Sequence, residues 1–221
     1  MNKNWQLKEM LYIVTLATVS IVLGLIEIPW IIIPQASFLK LDFSEVAILV
    51  SLVLLGVDNT FIVVLIRTVA RRLVRGMGPA DWLGEGLAIA ASMVIIVSYL
   101  ILLKIMGKKD KSLIKEKGND LDLSFNLKEM IYGMLITSGL LMIVLFVLNL
   151  FLTTPLYLNL TLGDPAWNIK QIINGESMMF ANFKEFFNFV AIAFIPFNFV
   201  KGVLVTGVFF AVRPHLKAII F

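Results

Sequence analysis

Apolar runs of about 20 residues or more recur along this chain, at about residues 8–30, 81–106, 127–152 and 186–212. About 30 Å of hydrocarbon is crossed by about 20 apolar residues in a helix, so each run is long enough to span a bilayer. A helix also bonds its own backbone groups, which hydrocarbon cannot do for it. Composition agrees: of 221 residues, 59% are hydrophobic and 15% charged, where an ordinary soluble domain carries about a quarter charged. The first run is too long for the apolar core of a signal peptide, and Glu27, Pro29 and Trp30 stand where small cleavage-site residues would be. It is expected to stay as helix 1, ending at an interfacial Trp30.

Two shorter apolar segments, at about 43–55 and 60–75, flank Gly56, Val57, Asp58 and Asn59, whose Asp-Asn pair favours a turn. They read as a helical hairpin, helices 2 and 3. Gly76, Gly78 and Pro79 break the chain before helix 4. Residues 107–126 are the strongly hydrophilic stretch, with five lysines. Helix 5 is expected to close at Thr153, Thr154 and Pro155, and helix 6 at Arg213 and Pro214. Between them, 153–185 carries Tyr157, Trp167 and Phe180, aromatics suited to an interface. The expectation is a single all-α membrane domain over residues 1–221, with six transmembrane helices and both termini on one side. Lys3, Lys8, the lysine-rich loop, Arg213 and Lys217 share that side, so the positive-inside rule makes it cytoplasmic and places 153–185 outside.

Several function classes fall away. There is no cysteine and a single histidine, His215, so thiolate and imidazole chemistry has no residues to build on, and no cofactor or metal is expected. A net charge of +4 is ordinary for cytoplasmic loops and asks for no nucleic acid. No P-loop sequence occurs, so any ATP is hydrolysed elsewhere.

Polar groups at membrane depth cost a few kcal/mol unless paired or hydrated, which makes them candidates for function. Asn149 lies near the outer end of helix 5. Asn198 and Lys201 lie three residues apart on one face of helix 6, where an amide and an ammonium together can read the oxygens and amide-like edges of a solute. The competing reading is interhelical hydrogen bonding for the asparagines and snorkelling for the lysine. Arg67, Arg71 and Arg75 share one face of helix 3, at an end this topology puts outside: either a basic cavity lining or arginines reaching lipid phosphate. Glu85 is expected to pair with Arg67 or Arg71, or to touch solute. Pro196 is expected to kink helix 6.

Phe38-Leu39-Lys40-Leu41-Asp42-Phe43-Ser44-Glu45, then Leu148-Asn149 followed by Pro155 and Tyr157, then Pro196-Phe197-Asn198-Phe199-Val200-Lys201-Gly202 resemble, in order and spacing, the substrate-binding S-components of energy-coupling-factor (ECF) vitamin transporters, closest to the riboflavin-binding RibU group. The resemblance implies six helices, no catalysis and a vitamin held near the extracellular side of a bacterial plasma membrane. It also implies partners: the transmembrane scaffold EcfT and two cytosolic ATPases. In the riboflavin group the matching asparagines and lysine bind ligand, which points to Asn149, Asn198 and Lys201. The loop holding Phe38, Leu39 and Lys40 would gate the site, with Arg67, Arg71 and Glu85 as further candidate contacts. Helix 3 is richer in arginine than the family pattern, and Glu85 stands where an asparagine is usual. Pantothenate, whose carboxylate an arginine would bind, therefore stands beside riboflavin, as do pyridoxine and a thiamine precursor. Other classes are an intramembrane enzyme and an autonomous secondary transporter. Accumulation in proteoliposomes on an ion gradient alone would favour the transporter, although six spans without an internal repeat speak against it.

Overall fold

The computed structural model describes residues 3–31, 33, 39–108 and 125–216. Eight α-helices hold nearly all of them: α1 Lys3–Leu25, α2 Ser44–Leu55, α3 Val57–Arg75, α4 Pro79–Ile105, α5 Leu127–Leu148, α6 Thr154–Leu162, α7 Ile169–Ile173 and α8 Phe183–Val212. Among the described residues, four helical stretches are long and apolar enough to cross a membrane: Leu7–Leu25, Pro79–Ile105, Leu127–Leu162 and Phe183–Leu216. Neither α2 nor α3 meets that measure. Twelve residues of α2 rise only about 18 Å, and α3 carries four arginines.

Local chemistry sets the helix ends. Asn126 accepts the Glu129 N–H at 2.9 Å while Glu129 accepts the Asn126 N–H at 2.8 Å, a reciprocal cap that starts α5. Asn182 caps α8 by accepting the Glu185 N–H at 3.1 Å while Glu185 accepts the Ala181 N–H at 3.0 Å, and the helix starts three residues before the expected position. Pro79 sits in the first turn of α4, where no N–H is needed, and Asp81 accepts the Gly78 N–H.

Three further boundaries differ from expectation. Helix 1 ends at Leu25, because the chain then extends into a short antiparallel ribbon, β1 Ile28–Pro29 against β2 Lys40–Leu41. Trp30 is therefore no interfacial helix end; it is buried and meets Phe197 edge-on at 5.7 Å. The break between α2 and α3 is Gly56 alone, at φ 80°, a region only glycine enters cheaply. Val57, Asp58 and Asn59 already belong to α3, so the turn expected of Asp58-Asn59 is not there. The third difference is at Pro155. Helix 5 does not close there: residues Asn149–Thr153 form a π-turn and helix continues to Leu162. The wider turn moves proline into the first turn of α6, where its missing N–H has no partner to lose. The stretch 153–185, expected as a loop, thus contains α6 and α7. Pro196 lies inside α8, which stays helical through it.

The core is built around α2. All twelve of its residues are buried, packed by α1, α3, α4 and α8, as befits a helix apolar on every side. Helices α5 and α8 approach closely: a Cβ on Gly202 would stand 2.6 Å from the Ser138 Cα, so only glycine fits there. This contact fixes Lys201 and Asn198 in depth against α5.

Candidate functional site

Four arginines on α3 act as a rack at one end of the bundle. Arg67 bonds Glu45 of α2 at 3.1 Å and Ser92 of α4 at 2.9 Å, and the Ser92 hydroxyl donates in turn to Glu45 at 2.9 Å. One turn on, Arg71 grips Glu85 of α4 with two bonds of 2.7 and 2.8 Å, and lies 3.9 Å from Asp42. Arg72 bonds Glu85 at 3.0 Å and Asp81 at 3.2 Å. Arg75 donates to Glu27 and to the Gly24 carbonyl, and Lys40 of β2 also holds Glu27, at 2.6 Å. The ribbon after α1 is thereby tied to α3.

Beside this rack lies a cavity of about 480 Å³. Glu27, Leu39, Lys40, Asp42, Arg71, Glu85, Asn149, Tyr157, Phe197, Asn198 and Lys201 are among the residues that line it. A second lobe of about 430 Å³ adjoins it, sharing Leu39, Leu87, Asn149, Tyr157 and Phe194, and is almost wholly apolar, with Leu158, Leu162, Met179 and Phe189 in its wall. Its polar exceptions come from the π-turn region, where the buried Thr154 hydroxyl has no partner. The two lobes meet at Asn149.

Satisfied and unsatisfied groups separate clearly in this lining. The Asn198 Nδ2 donates to the Phe194 carbonyl at 2.8 Å, but its buried Oδ1 accepts nothing. Lys201, one turn further, forms no hydrogen bond or salt bridge among the described residues. Asn149 spends its Nδ2 on the Leu145 carbonyl at 2.7 Å, which turns its Oδ1 loose at the junction of the lobes. Asp42 faces Lys201. Burial alone would raise the Asp42 carboxyl, but the Lys201 charge, two hydrogen bonds from Ser44 and the Arg71 charge together hold it below the usual aspartate range. Burial likewise works against Glu27, and Lys40 and Arg75 overcome it.

Of the residues expected from sequence, Asn149, Asn198, Lys201, Leu39, Lys40, Arg71 and Glu85 converge on this cavity. Phe38 lies outside the described residues. Arg67 does not line the cavity: it is fully buried in the α2–α3–α4 triad. Glu85 pairs with Arg71 and Arg72, and not with Arg67, and its oxygens are occupied by guanidinium. The basic face of α3 is thus neither bare lining nor lipid-facing; every arginine on it has a carboxylate. Sequence reading missed Asp42, Glu27 and Glu45 as their counter-charges. Among the described residues no group of His, Cys, Asp or Glu could hold a metal.

Comparison with known proteins gives a family and a fold. Residues 8–213 match the family described as ECF transporter, substrate-specific component. The riboflavin transporter RibU of Streptococcus thermophilus is 26% identical over 213 residues, covering 96% of this chain and 84% of that protein. The riboflavin transporter RibU of Staphylococcus aureus is 27% identical over 205 residues, covering 92% and 87%. In fold, a solved S component of a bacterial ECF transporter superposes with a TM-score of 0.60 at 21% identity, over 97% of this chain and 98% of that one.

Proposed function

The chain belongs to the substrate-specific components of ECF transporters, and from that premise we propose that it binds riboflavin in the two-lobed cavity and delivers it to the cytoplasm. It is a transport subunit and not an enzyme. The observation that carries the riboflavin reading is a free acceptor and a free donor one helical turn apart, Asn198 Oδ1 and Lys201 Nζ. A flavin presents a ring edge with an N–H between two carbonyls, which such a pair can answer, with the Asn149 amide as a third fixing point. The apolar lobe suits the methylated end of the ring, and the charged lobe suits the hydroxyls of the side chain. Pantothenate fits less well, since every arginine beside the cavity already holds a carboxylate.

The remaining reading follows from the family. Six helices cross a bacterial plasma membrane, α2 and α3 as its short pair, with both termini cytoplasmic and the cavity opening outward. The ribbon after α1, tied to α3 through Glu27, is the gate. Transport is driven by association with the scaffold EcfT and two cytosolic ATPases.

The test is the absorbance and mass spectrum of the small molecule that copurifies with the detergent-solubilised protein. Flavin absorbance with the mass of riboflavin is expected. A colourless preparation carrying pantothenate or another carboxylate would overturn the riboflavin reading and leave the family in place.

A further inference from the structure

Charges around the cavity divide into an interior set and a rim. At the rim, Lys40 and Asp81 are well exposed, and Arg75 and Glu27 are partly so. In the interior, two carboxylates, Asp42 and Glu85, stand against three cations, Arg71, Arg72 and Lys201, and Asp81 of the rim reaches in to Arg72 at 3.2 Å. Glu85 is engaged by Arg71 and Arg72, and Asp81 by Arg72, so neither carboxylate is left for Lys201. Lys201 therefore has Asp42 as its interior counter-charge. Nothing in α8 itself could serve, because its acidic residue Glu185 lies in the first turn, four turns away.

Asp42 is held firmly for this task. Its Oδ1 accepts the Ser44 N–H at 2.9 Å and the Ser44 hydroxyl as well, and the backbone of Ser44 is itself anchored by the Ser20 hydroxyl of α1 at 3.0 Å. Arg71 stands 3.9 Å from the other oxygen. The carboxylate is thus fixed at the foot of the gating ribbon, two residues after Lys40, where its negative charge faces the ligand space.

We propose that Asp42 is a specificity-determining residue: by offsetting the charge of Lys201 it keeps the positive charge facing the ligand low, so that the site takes a neutral hydrogen-bonding ligand and rejects an anionic form of it. The inference rests on the riboflavin reading and adds a residue and a selection rule to it. Lys201 without Asp42 would be a net positive charge in a partly desolvated cavity, where a unit charge acts far more strongly than in water. A phosphate ester would then be drawn in. With Asp42 present, Lys201 acts as a hydrogen-bond donor to a neutral oxygen, and a phosphate meets the aspartate as well as the ammonium.

The experiment measures the dissociation constants of riboflavin and of its phosphate monoester for the purified full chain, by quenching of flavin fluorescence, in the wild type, Asp42→Asn, Asp42→Ser and Ser44→Ala. The wild type is expected to prefer riboflavin. Asp42→Asn should shift the ratio of the two constants toward the phosphate by about tenfold. Asp42→Ser keeps an acceptor for the Ser44 N–H and should shift the ratio in the same direction, so the inference stays testable if the asparagine variant does not fold. Ser44→Ala disturbs the same turn while leaving the charge, and its ratio should match the wild type. An unchanged ratio in both Asp42 variants, or an equal shift in Ser44→Ala, overturns the inference while leaving the riboflavin reading standing. A wild type that binds neither flavin removes that reading, and the inference with it.

Discussion

Arg67 in α3 and Lys201 in α8 are both cations set within helices of an apolar bundle, and their surroundings are opposite. Arg67 is fully buried, with one carboxylate and one hydroxyl on its two terminal nitrogens, and the carboxylate is itself bonded to that hydroxyl. Lys201 is half-buried beside a cavity, and the Asn198 Oδ1, one turn before it on α8, is equally unpartnered. Depth alone marks both as costly. The buried Arg67 Nε has no partner either, so what separates the structural charge from the ligand-facing one is a carboxylate in direct contact and the absence of a cavity beside it.

The comparison breaks most visibly at Glu45. Glu45→Ala leaves Arg67 buried and uncompensated, and the expected loss is about 3–5 kcal/mol of stability, read as a lowered unfolding temperature in detergent. Replacing Glu45 and Arg67 together by leucine should recover most of that loss, since a buried ion pair exchanged for apolar side chains is often neutral. If Glu45→Ala alone unfolded like the wild type, the triad would not be the structural clamp that its geometry describes.

At the other pole, Asn198→Ala should leave the unfolding temperature of the ligand-free protein close to the wild type, and Lys201→Ala should lower it far less than Glu45→Ala does. Each should weaken riboflavin binding by about 1–3 kcal/mol, the worth of a hydrogen bond to a buried or charged group. Fluorescence titration measures this. A loss of stability with unchanged affinity in both variants would move the pair from the site into the scaffold.

Much of this was legible in the sequence, for reasons that the same comparison explains. The long apolar runs and the polar residues inside α5 and α8 are local signals, and Asn149, Asn198 and Lys201 do meet at one cavity. Helix ends were less legible, because they depend on the particular backbone. Asn182 and Glu185 form a cap that the sequence spells out and the reading passed over. Pro155 was taken for a helix stop, although a π-turn lets the helix run through it. The partners of the arginines were legible only in part: Glu85 was expected on Arg67 or Arg71 and does hold Arg71, but the other carboxylates were not assigned. Arg67 meets a carboxylate 22 positions away, and Arg75 one that is 48 positions away, so only the packing of α1, α2 and α4 around α3 could assign them. Arg67 looked like a site residue because a sequence shows a charge and hides its counter-charge.

The smallest effect expected is on the acid side, and it tests the ligand-facing half of the comparison. Burial raises the carboxyls of Asp42 and Glu27, yet their cationic neighbours and hydrogen bonds leave both below their ordinary values of 3.8 and 4.5. A folded-state value below the unfolded one means that each carboxylate stabilises the fold above that ordinary value. The contribution fades as pH falls through the folded value. The unfolding temperature should therefore stay level from neutral pH to about 5 and decline below about 4.5, as protonation of Glu27 frees Lys40 and Arg75 and protonation of Asp42 strips Lys201 of its counter-charge. Glu27→Gln and Asp42→Asn in one chain should start lower at neutral pH and lose less on acidification. Glu27 is partly exposed, so solvent screens its share, and Asp42 carries the larger part of the change. An acid decline of the same steepness in the double variant would assign it to other carboxylates, and the ribbon would then be held by packing rather than by charge.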